Sequence, residues 1–257
     1  MTSPTHQFRQ LHHQPTALLL ANVWNTQSAL IFQESGYQAV GTSSAAVAKS
    51  LGYEDGQNIP FEEYLFIVRA IRRICSLPLT VDVEAGFAES DEAIVDNLAK
   101  LHQVGVVGVN IEDSRLENGS RILEDAAIFS EKITQISHLL KERGIDLFIN
   151  LRTDTYLLNV PDKFAQTLQR IDLYQQAGID GIFVPCLNDP GDIEAICSHA
   201  RVPINVMCMP DLPDFDTLEK AGVKRISMGN FLYEKLYQDL RTKAGQISDE
   251  KTFNSIF

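Results

Sequence analysis

The chain has 257 residues, of which 44% are hydrophobic and 22% charged, a balance typical of a folded globular protein rather than a disordered or fibrous one. Acidic residues outnumber basic ones by 34 to 22, so the formal net charge at pH 7 is −12. This charge argues against a nucleic-acid or anionic-membrane surface, because both require a basic patch. A small anionic substrate stays open, since a local site can oppose the net charge.

The sequence also argues against membrane insertion and disulfide stapling. No window approaches the ~20 apolar residues of a membrane span, and residues 1–16 lack the apolar core of a signal peptide. The 4 cysteines show no CxxC spacing, and a chain of this length does not need disulfides. No linker or break in composition divides the chain. We therefore expect a reduced, cytoplasmic protein with a single domain over residues 1–257.

Eight short apolar runs alternate with longer amphipathic segments along the chain. The short runs predict strands at residues 17–22, 39–42, 77–84, 107–112, 147–152, 181–185, 203–207 and 225–228. The amphipathic segments predict helices at residues 26–35, 61–76, 91–104, 122–143, 162–177, 192–200, 214–221 and 231–244.

Glycine follows a predicted helix and precedes a new strand at Gly105, Gly178 and Gly222. Eight β/α units in about 230 residues are typical of a (β/α)8 TIM barrel, which is the α/β fold that we predict. A doubly wound parallel sheet is the alternative. That fold would want a glycine-rich phosphate loop after the first strand, and the segment there, NVWNTQSA, has no glycine.

Acidic side chains concentrate where predicted strands end, which is the active-site face of such a barrel. Asp82 and Glu84 lie two apart in the third strand and so share a face, Glu112 ends the fourth, and Asp55 lies in the loop beyond the second. Acids this close repel one another unless a cation or a proton is present. The pattern predicts Mg²⁺, with Mn²⁺ as a substitute. The alternative is an acid network paired with Arg152 or with helix N-termini.

Arg152 ends an apolar strand, where a charge is costly without a partner. A guanidinium there suits bidentate binding of a substrate carboxylate. A structural pair with Asp154 or Glu112 is an equally good interpretation.

Other residues after strands are weaker candidates. Ser43 and Ser44 could hold a carboxylate or an oxyanion, or simply cap a helix. Trp24 could wall a substrate pocket or pack in the core. Cys186 and Cys208 follow strands without a nearby histidine to activate them, so buried thiols are the commoner interpretation.

Four segments, GTSSAAVAKSLGYEDG, PLTVDVEAGF, GVNIEDS and INLRTDTYL, resemble in this order the isocitrate lyase/phosphoenolpyruvate mutase superfamily. AGIDGIFVP and MGNFLYE are weaker matches, and together the segments span nearly the whole chain. The resemblance implies a (β/α)8 barrel, often a tetramer whose C-terminal helix swaps between subunits. It also implies Mg²⁺ and a 2-oxo acid or related carboxylate as substrate.

The resemblance assigns roles by position. Asp82 matches the acid nearest the metal, and Asp55, Glu84 and Glu112 match acids that hold the metal largely through water. Arg152 matches the arginine that binds the substrate carboxylate, while Ser43 and Ser44 match a turn that holds the other end of the substrate. These matches make Arg152, Glu112 and Asp55 catalytic candidates.

The loop after the fourth strand departs from the family pattern. Isocitrate and methylisocitrate lyases carry a cysteine and a histidine there, and the phosphonate branch carries a lysine, whereas residues 114–125 read SRLENGSRILED. Arg115 and Arg121 could replace the lysine electrostatically but not as proton donors. The lyases also place a glutamate after strand six, where Pro185 and Cys186 stand here.

These features predict a Mg²⁺-dependent lyase or decarboxylase that cleaves a C–C bond in a 2-oxo acid or substituted malate, through an enolate-like intermediate. We expect a homo-oligomer, either a dimer or a tetramer. A P–C bond enzyme of the phosphonopyruvate hydrolase or mutase type and a non-catalytic 2-oxo acid binder are the alternatives.

Overall fold

Eight parallel strands close into a barrel that is wrapped by helices, in a computed structural model that describes residues 2–257. With the two strands of a separate hairpin, β5 and β6, the described residues form ten strands. These are β1 (Leu18–Val23), β2 (Val40–Thr42), β3 (Leu79–Asp82), β4 (Gly108–Glu112), β5 (Ser114–Glu117), β6 (Ser120–Leu123), β7 (Phe148–Arg152), β8 (Gly181–Phe183), β9 (Ile204–Met207) and β10 (Arg225–Ser227). The helices are α1 (Pro4–Leu11), α2 (Thr26–Glu34), α3 (Ser44–Ser50), α4 (Phe61–Ile74), α5 (Asp91–Gln103), α6 (Ala126–Glu142), α7 (Lys163–Tyr174), α8 (Pro190–His199), α9 (Phe215–Lys220) and α10 (Phe231–Glu250), followed by a 3-10 turn at Asn254–Ile256.

The barrel strands follow one another in the order β1-β2-β3-β4-β7-β8-β9-β10, and β10 pairs with β1 to close the ring. Each of these pairings is parallel. The predicted TIM barrel is confirmed, and the doubly wound alternative is wrong because such a sheet has open edges.

The predicted helix over residues 122–143 is wrong at its start. Its first two residues are the end of β6, which pairs antiparallel with β5 in a hairpin outside the barrel. The helix begins at Ala126, where the Asp125 carboxylate accepts the backbone N–H groups of Ala127 and Ile128. The two apolar residues at 122–123 suit a strand as well as a helix, so the pattern alone placed them wrongly.

Helix α1, which the sequence patterns did not predict, closes the amino-terminal end of the barrel. Phe8 packs edge-on against Phe148 with ring centroids 5.3 Å apart. Arg9 forms ion pairs of 2.7 Å with Asp146 and Asp180, which precede β7 and β8. The helix has only eight residues and few apolar positions, so tertiary packing rather than periodicity stabilises it.

The middle of the barrel is polar. The Asn150 side-chain amide donates hydrogen bonds of 3.0 Å to Asn110 Oδ1 and 3.1 Å to Asn205 Oδ1, which joins strands β4, β7 and β9. Arg225, which is 1% exposed, donates from Nη2 to the same Asn110 oxygen at 3.3 Å. Hydrogen bonds of this kind fix side-chain positions in a core, and here they hold the asparagines, while Arg225 Nε and Nη1 are buried without a partner. The network therefore forms an ordered floor beneath the carboxyl-terminal mouth.

Candidate active site

A pocket of about 190 Å³ opens at the carboxyl-terminal mouth of the barrel, the end at which TIM-barrel enzymes carry their active sites. Its volume is below the ~300–1,000 Å³ of pockets for drug-sized ligands, so the pocket suits a small acid. The lining residues are Asn22, Ser43, Ser44, Ala45, Asp55, Asp82, Asn110, Arg121, Arg152, Leu157, Phe183, Pro185, Met207, Ser227, Gly229 and Asn230. A larger cleft of about 590 Å³ lies at the opposite end of the barrel, where Arg9 already pairs with both Asp146 and Asp180.

Asp82 is held at the end of β3 by two hydroxyl groups. Its backbone N–H donates to Thr42 Oγ1 at 3.0 Å, and Ser44 Oγ donates to its Oδ2 at 2.8 Å. Its other oxygen, Oδ1, is shielded from solvent and accepts no hydrogen bond. Burial raises the pKa of Asp82, while Arg152 and Ser44 oppose the rise. The carboxylate therefore presents one unpaired oxygen.

Glu84, which the sequence analysis placed in the same strand as Asp82, lies beyond the end of that strand. The predicted strand over residues 77–84 is too long, because β3 ends at Asp82 and Glu84 adopts a left-handed backbone with φ of +51°. Strand alternation therefore does not place the two acids on one face. Glu84 is 2% exposed and its Oε1 has no hydrogen-bond partner. Burial first, then repulsion from Glu112, Asp55 and Asp82, raises the pKa of Glu84 to about 9.

Glu112, at the end of β4, lies between two arginines. Arg121 donates from Nη1 to Oε1, and Arg152 Nη1 lies 2.9 Å from Oε2 as an ion pair whose angle does not make a hydrogen bond. Burial raises the pKa of Glu112, and the two guanidinium groups oppose the rise. The predicted acid network with Arg152 therefore forms here.

Arg152 also pairs with Asp154, one of the two structural partners that the sequence analysis predicted as alternatives to a substrate. Its Nε lies 2.6 Å from Asp154 Oδ1 and its Nη2 lies 3.0 Å from Oδ2. A guanidinium has five N–H groups, so the two nitrogens Nη1 and Nη2 each keep an N–H beyond these contacts. Arg152 lines the pocket, and its structural pairing leaves it able to bind a ligand carboxylate.

Arg121 reaches deeper into the site than the sequence indicated. It projects from β6 of the hairpin, and besides Glu112 it donates to Ser114 Oγ at 3.1 Å. Its Nη2 lies 3.8 Å from Asp55 Oδ2, and Nη1 lies 3.7 Å from Asp154 Oδ2. The sequence of the loop indicated that Arg121 could replace the missing lysine electrostatically. No local pattern could show that the hairpin folds with this side chain towards the site.

The remaining candidates divide between the pocket and its surroundings. Ser43 lines the pocket and also caps α3, since its hydroxyl accepts the Ala46 N–H at 3.3 Å. Trp24 lies outside the pocket lining, 5% exposed, and packs edge-on against Tyr233. Cys186 is half-buried with φ of +64°, and burial raises its thiol pKa. It is outside the pocket lining too.

A second acid next to Glu112 fixes the base of the site. Asp113 is fully buried and accepts hydrogen bonds from Arg170 Nη1 at 2.9 Å, Tyr174 OH at 2.9 Å and Thr153 Oγ1 at 2.7 Å. It also accepts the backbone N–H of Asp154 at 2.9 Å. These contacts tie the ends of β4 and β7 together and so set the spacing between Glu112 and Arg152.

The acid cluster suits a hard divalent cation held largely through water. Shielded carboxylate oxygens on Asp82 and Glu84 accept no hydrogen bond, and the shielded Glu112 Oε2 has only its ion pair with Arg152. Within residues 2–257, no three Asp, Glu, His or Cys side chains are grouped closely enough to ligate one ion together. Mg²⁺ keeps several waters and usually takes one or two protein carboxylates. The donor set therefore fits an ion with one direct carboxylate and water-mediated neighbours.

No helix within residues 2–257 has the length and apolar character needed to cross a membrane.

Comparison with known proteins identifies the family of the chain. A family model described as phosphoenolpyruvate phosphomutase matches residues 8–248. An uncharacterised Mycobacterium tuberculosis protein is 35% identical over 88% of this chain and 83% of that protein. An oxaloacetate decarboxylase of Pseudomonas aeruginosa is 26% identical over 97% of this chain and 88% of its own length. A solved Burkholderia cenocepacia structure, provisionally described as a phosphonomutase, is 33% identical with a TM-score of 0.88, covering 95% of this chain and all (100%) of that chain. The resemblance found in the sequence is confirmed, and the chain belongs to the phosphoenolpyruvate phosphomutase family.

Proposed function

We propose that the protein is a Mg²⁺-dependent carbon–carbon lyase that decarboxylates a small 2-oxo dicarboxylic acid of the oxaloacetate type. The observation that carries the proposal is the pair of shielded carboxylate oxygens on Asp82 and Glu84 that accept no hydrogen bond, at a pocket of about 190 Å³ that Arg152 also lines. Similarity to the oxaloacetate decarboxylases of Pseudomonas supports the substrate class.

Asp82, oriented by Ser44, would hold the cation directly, and Asp55, Glu84 and Glu112 would hold its water ligands. When bound, the cation supplies a Lewis acid for charge that develops on a keto oxygen. Arg152 uses its free N–H groups to bind the carboxylate next to the keto group. Its contacts with Asp154 fix the guanidinium before the substrate arrives.

The turn at Ser43 and Ser44 positions the other end of the substrate. The C–C bond to the departing carboxylate breaks, CO₂ leaves, and the electron pair stays on the substrate as an enolate. Arg121 does not supply the proton that then forms the pyruvate-type product, because a guanidinium stays protonated at neutral pH. Release of CO₂ needs no protein acid, so decarboxylation does not require the cysteine, histidine or lysine that the 114–125 loop lacks, and solvent or another acid supplies the proton afterwards.

A proton NMR time course with oxaloacetate tests the proposal. Samples with Mg²⁺ or EDTA are compared with enzyme-free samples that contain the same metal, which corrects for spontaneous decarboxylation. We expect Mg²⁺-dependent product and a loss of about 100-fold or more in Asp82→Asn. Glu92→Gln, at an exposed position on α5, is the matched control and should keep the wild-type rate. A wild-type rate equal to that of the metal alone would refute the proposal.

P–C bond chemistry is the second candidate, because the Burkholderia relative is provisionally described as a phosphonomutase. Phosphonopyruvate and substituted malates therefore belong in the same NMR panel. Release of inorganic phosphate from phosphonopyruvate, with no turnover of oxaloacetate, would select this candidate. Metal-dependent binding of 2-oxo acids without turnover of any compound would select the non-catalytic binder.

We further propose that the chain forms a homo-oligomer in which a second copy covers α10. Leu232, Leu236 and Leu240 recur every fourth residue on this helix and are 44%, 52% and 58% exposed. Light scattering coupled to size exclusion should give a dimer or tetramer for the wild type and a smaller species for Leu236→Glu. A monomeric wild type would refute this assembly.

A further inference from the structure

Arg121 holds together two parts of the mouth that are far apart in sequence. Its guanidinium contacts Glu112 at the end of β4 and approaches Asp55 Oδ2 to 3.8 Å in the loop between α3 and α4. The hairpin that carries it also covers that loop, because a Cβ on Gly56, which has φ of +98°, would overlap with Leu116. The closed hairpin and the Arg121 contacts therefore form one unit.

The same acids are the candidate holders of the divalent cation. Each Glu112 oxygen already faces a guanidinium, Oε1 that of Arg121 and Oε2 that of Arg152. A cation whose water ligands bind Glu112 and Asp55 would lie close to the Arg121 guanidinium, which already contacts these carboxylates. Two like charges at this range repel strongly unless one of them moves.

Arg121 is the arginine that can leave. Arg152 lies on a barrel strand and is fixed by two contacts to Asp154. Arg121 lies on a hairpin whose outer strand is exposed, with Leu116 41% exposed. Movement of this hairpin breaks no barrel pairing, since β5 and β6 pair with each other.

We propose that Arg121 is an internal counter-ion that neutralises the acid cluster until a divalent cation displaces it, so that metal binding and hairpin closure oppose each other. This inference rests on the divalent-cation site of the proposed function. On this proposal the hairpin has a role other than proton transfer. Without metal, Arg121 stays paired with the acid cluster, and when the metal binds, the hairpin is released.

Mn²⁺ binding measured by electron paramagnetic resonance tests the proposal without any substrate. We expect Arg121→Gln to bind Mn²⁺ at least about tenfold more tightly than the wild type, because a screened like charge at this distance costs more than the ~1.4 kcal/mol that tenfold represents. Arg121→Lys, which keeps the charge, should stay near the wild type. Arg115→Gln, on the exposed face of the same hairpin, is the matched control and should leave the affinity unchanged.

Hydrogen–deuterium exchange of residues 114–123 gives a second readout. Metal should speed exchange of this segment in the wild type and leave it unchanged in Arg121→Gln, where the tie is already gone. Equal or weaker Mn²⁺ affinity in Arg121→Gln, or slower hairpin exchange in the metal-bound wild type, would overturn the proposal. If neither protein binds Mn²⁺, the divalent-cation site itself fails; if the wild type binds and Arg121→Gln gains nothing, only the counter-ion role fails.

Discussion

Acidification should destabilise this protein through His12, which is buried at the closed end of the barrel. His12 is 1% exposed, stacks on Phe148 with ring centroids 4.2 Å apart, and has Nδ1 2.9 Å from the Phe8 carbonyl oxygen. A carbonyl only accepts, so Nδ1 carries the proton and Nε2, which has no partner, carries the lone pair. Burial first, and then the charge of Arg225, lower the pKa of His12 from 6.5 to about 3.

The direction and size of the effect follow from this difference. Between pH 6.5 and about 3 the unfolded chain binds a proton at His12 that the folded chain does not, so stability falls as the pH falls through this window. The loss is about 2 kcal/mol at pH 5 relative to pH 7.5, and approaches about 5 kcal/mol at the acid limit. Above pH 6.5 the contribution is fully present.

Urea unfolding at pH 7.5 and pH 5.0 measures this loss. The free energy of unfolding of His12→Gln should fall by about 2 kcal/mol less than that of the wild type between the two pH values. His6→Gln, at an exposed position of α1, is the control and should keep the wild-type dependence. An identical pH dependence in His12→Gln and the wild type would refute the reasoning, as would an NMR titration of the His12 ring above pH 5.

Three further changes test the barrel and its mouth. Arg170→Met should lower the free energy of unfolding by roughly 3–5 kcal/mol, because it leaves the buried Asp113 carboxylate unpaired; partial recovery in the double variant with Asp113→Asn checks the cause by urea titration. Gly108→Ala should lower the free energy of unfolding by about 1–3 kcal/mol in the same assay, because its Cβ would lie 2.9 Å from the Phe148 backbone oxygen. An unfolding midpoint equal to that of the wild type would show that the barrel adjusts to the added methyl group. Ser44→Ala should weaken Mn²⁺ binding roughly tenfold by releasing Asp82, and an unchanged affinity would exclude this orienting role.

The barrel could be predicted because its signals are local and repeated. Each strand is a short apolar run, and several helices end at a glycine that the structure places in the left-handed region, as at Gly105 (φ +88°) and Gly222 (φ +95°). Predictions failed where short segments depend on distant partners. α3 has seven residues and α1 eight, so neither has a strong periodic signal. α10 continues to Glu250 through Gly245, where the sequence predicted an end.

The candidate site was predictable to the extent that it follows strand ends. Asp82, Glu112 and Arg152 meet at the mouth because neighbouring parallel strands end there. The position of Arg121 in the site depends on how the hairpin folds, and the spacing of residues in the sequence does not predict that. The asparagine floor did leave a signal in the sequence, since Asn110 and Asn150 sit inside otherwise apolar strands, where a buried amide requires a partner.

The charges at the mouth also predict the order in which ligands bind. Five acids, Asp55, Asp82, Glu84, Glu112 and Asp154, surround the two arginines that line the pocket, Arg121 and Arg152. Burial and mutual repulsion raise the pKa of Glu84 to about 9, so this carboxyl group keeps its proton at neutral pH. The other four acids still outnumber the two arginines, so a dicarboxylate anion meets repulsion in the metal-free site. A divalent cation reverses this balance, and the substrate should therefore bind after the metal. Calorimetry with oxalate as a non-reacting dicarboxylate should give binding with Mg²⁺ present and at least about tenfold weaker binding in EDTA. Equal affinity in the two buffers would mean that Arg152 alone overcomes the acids, and that the cation is not what admits the anion.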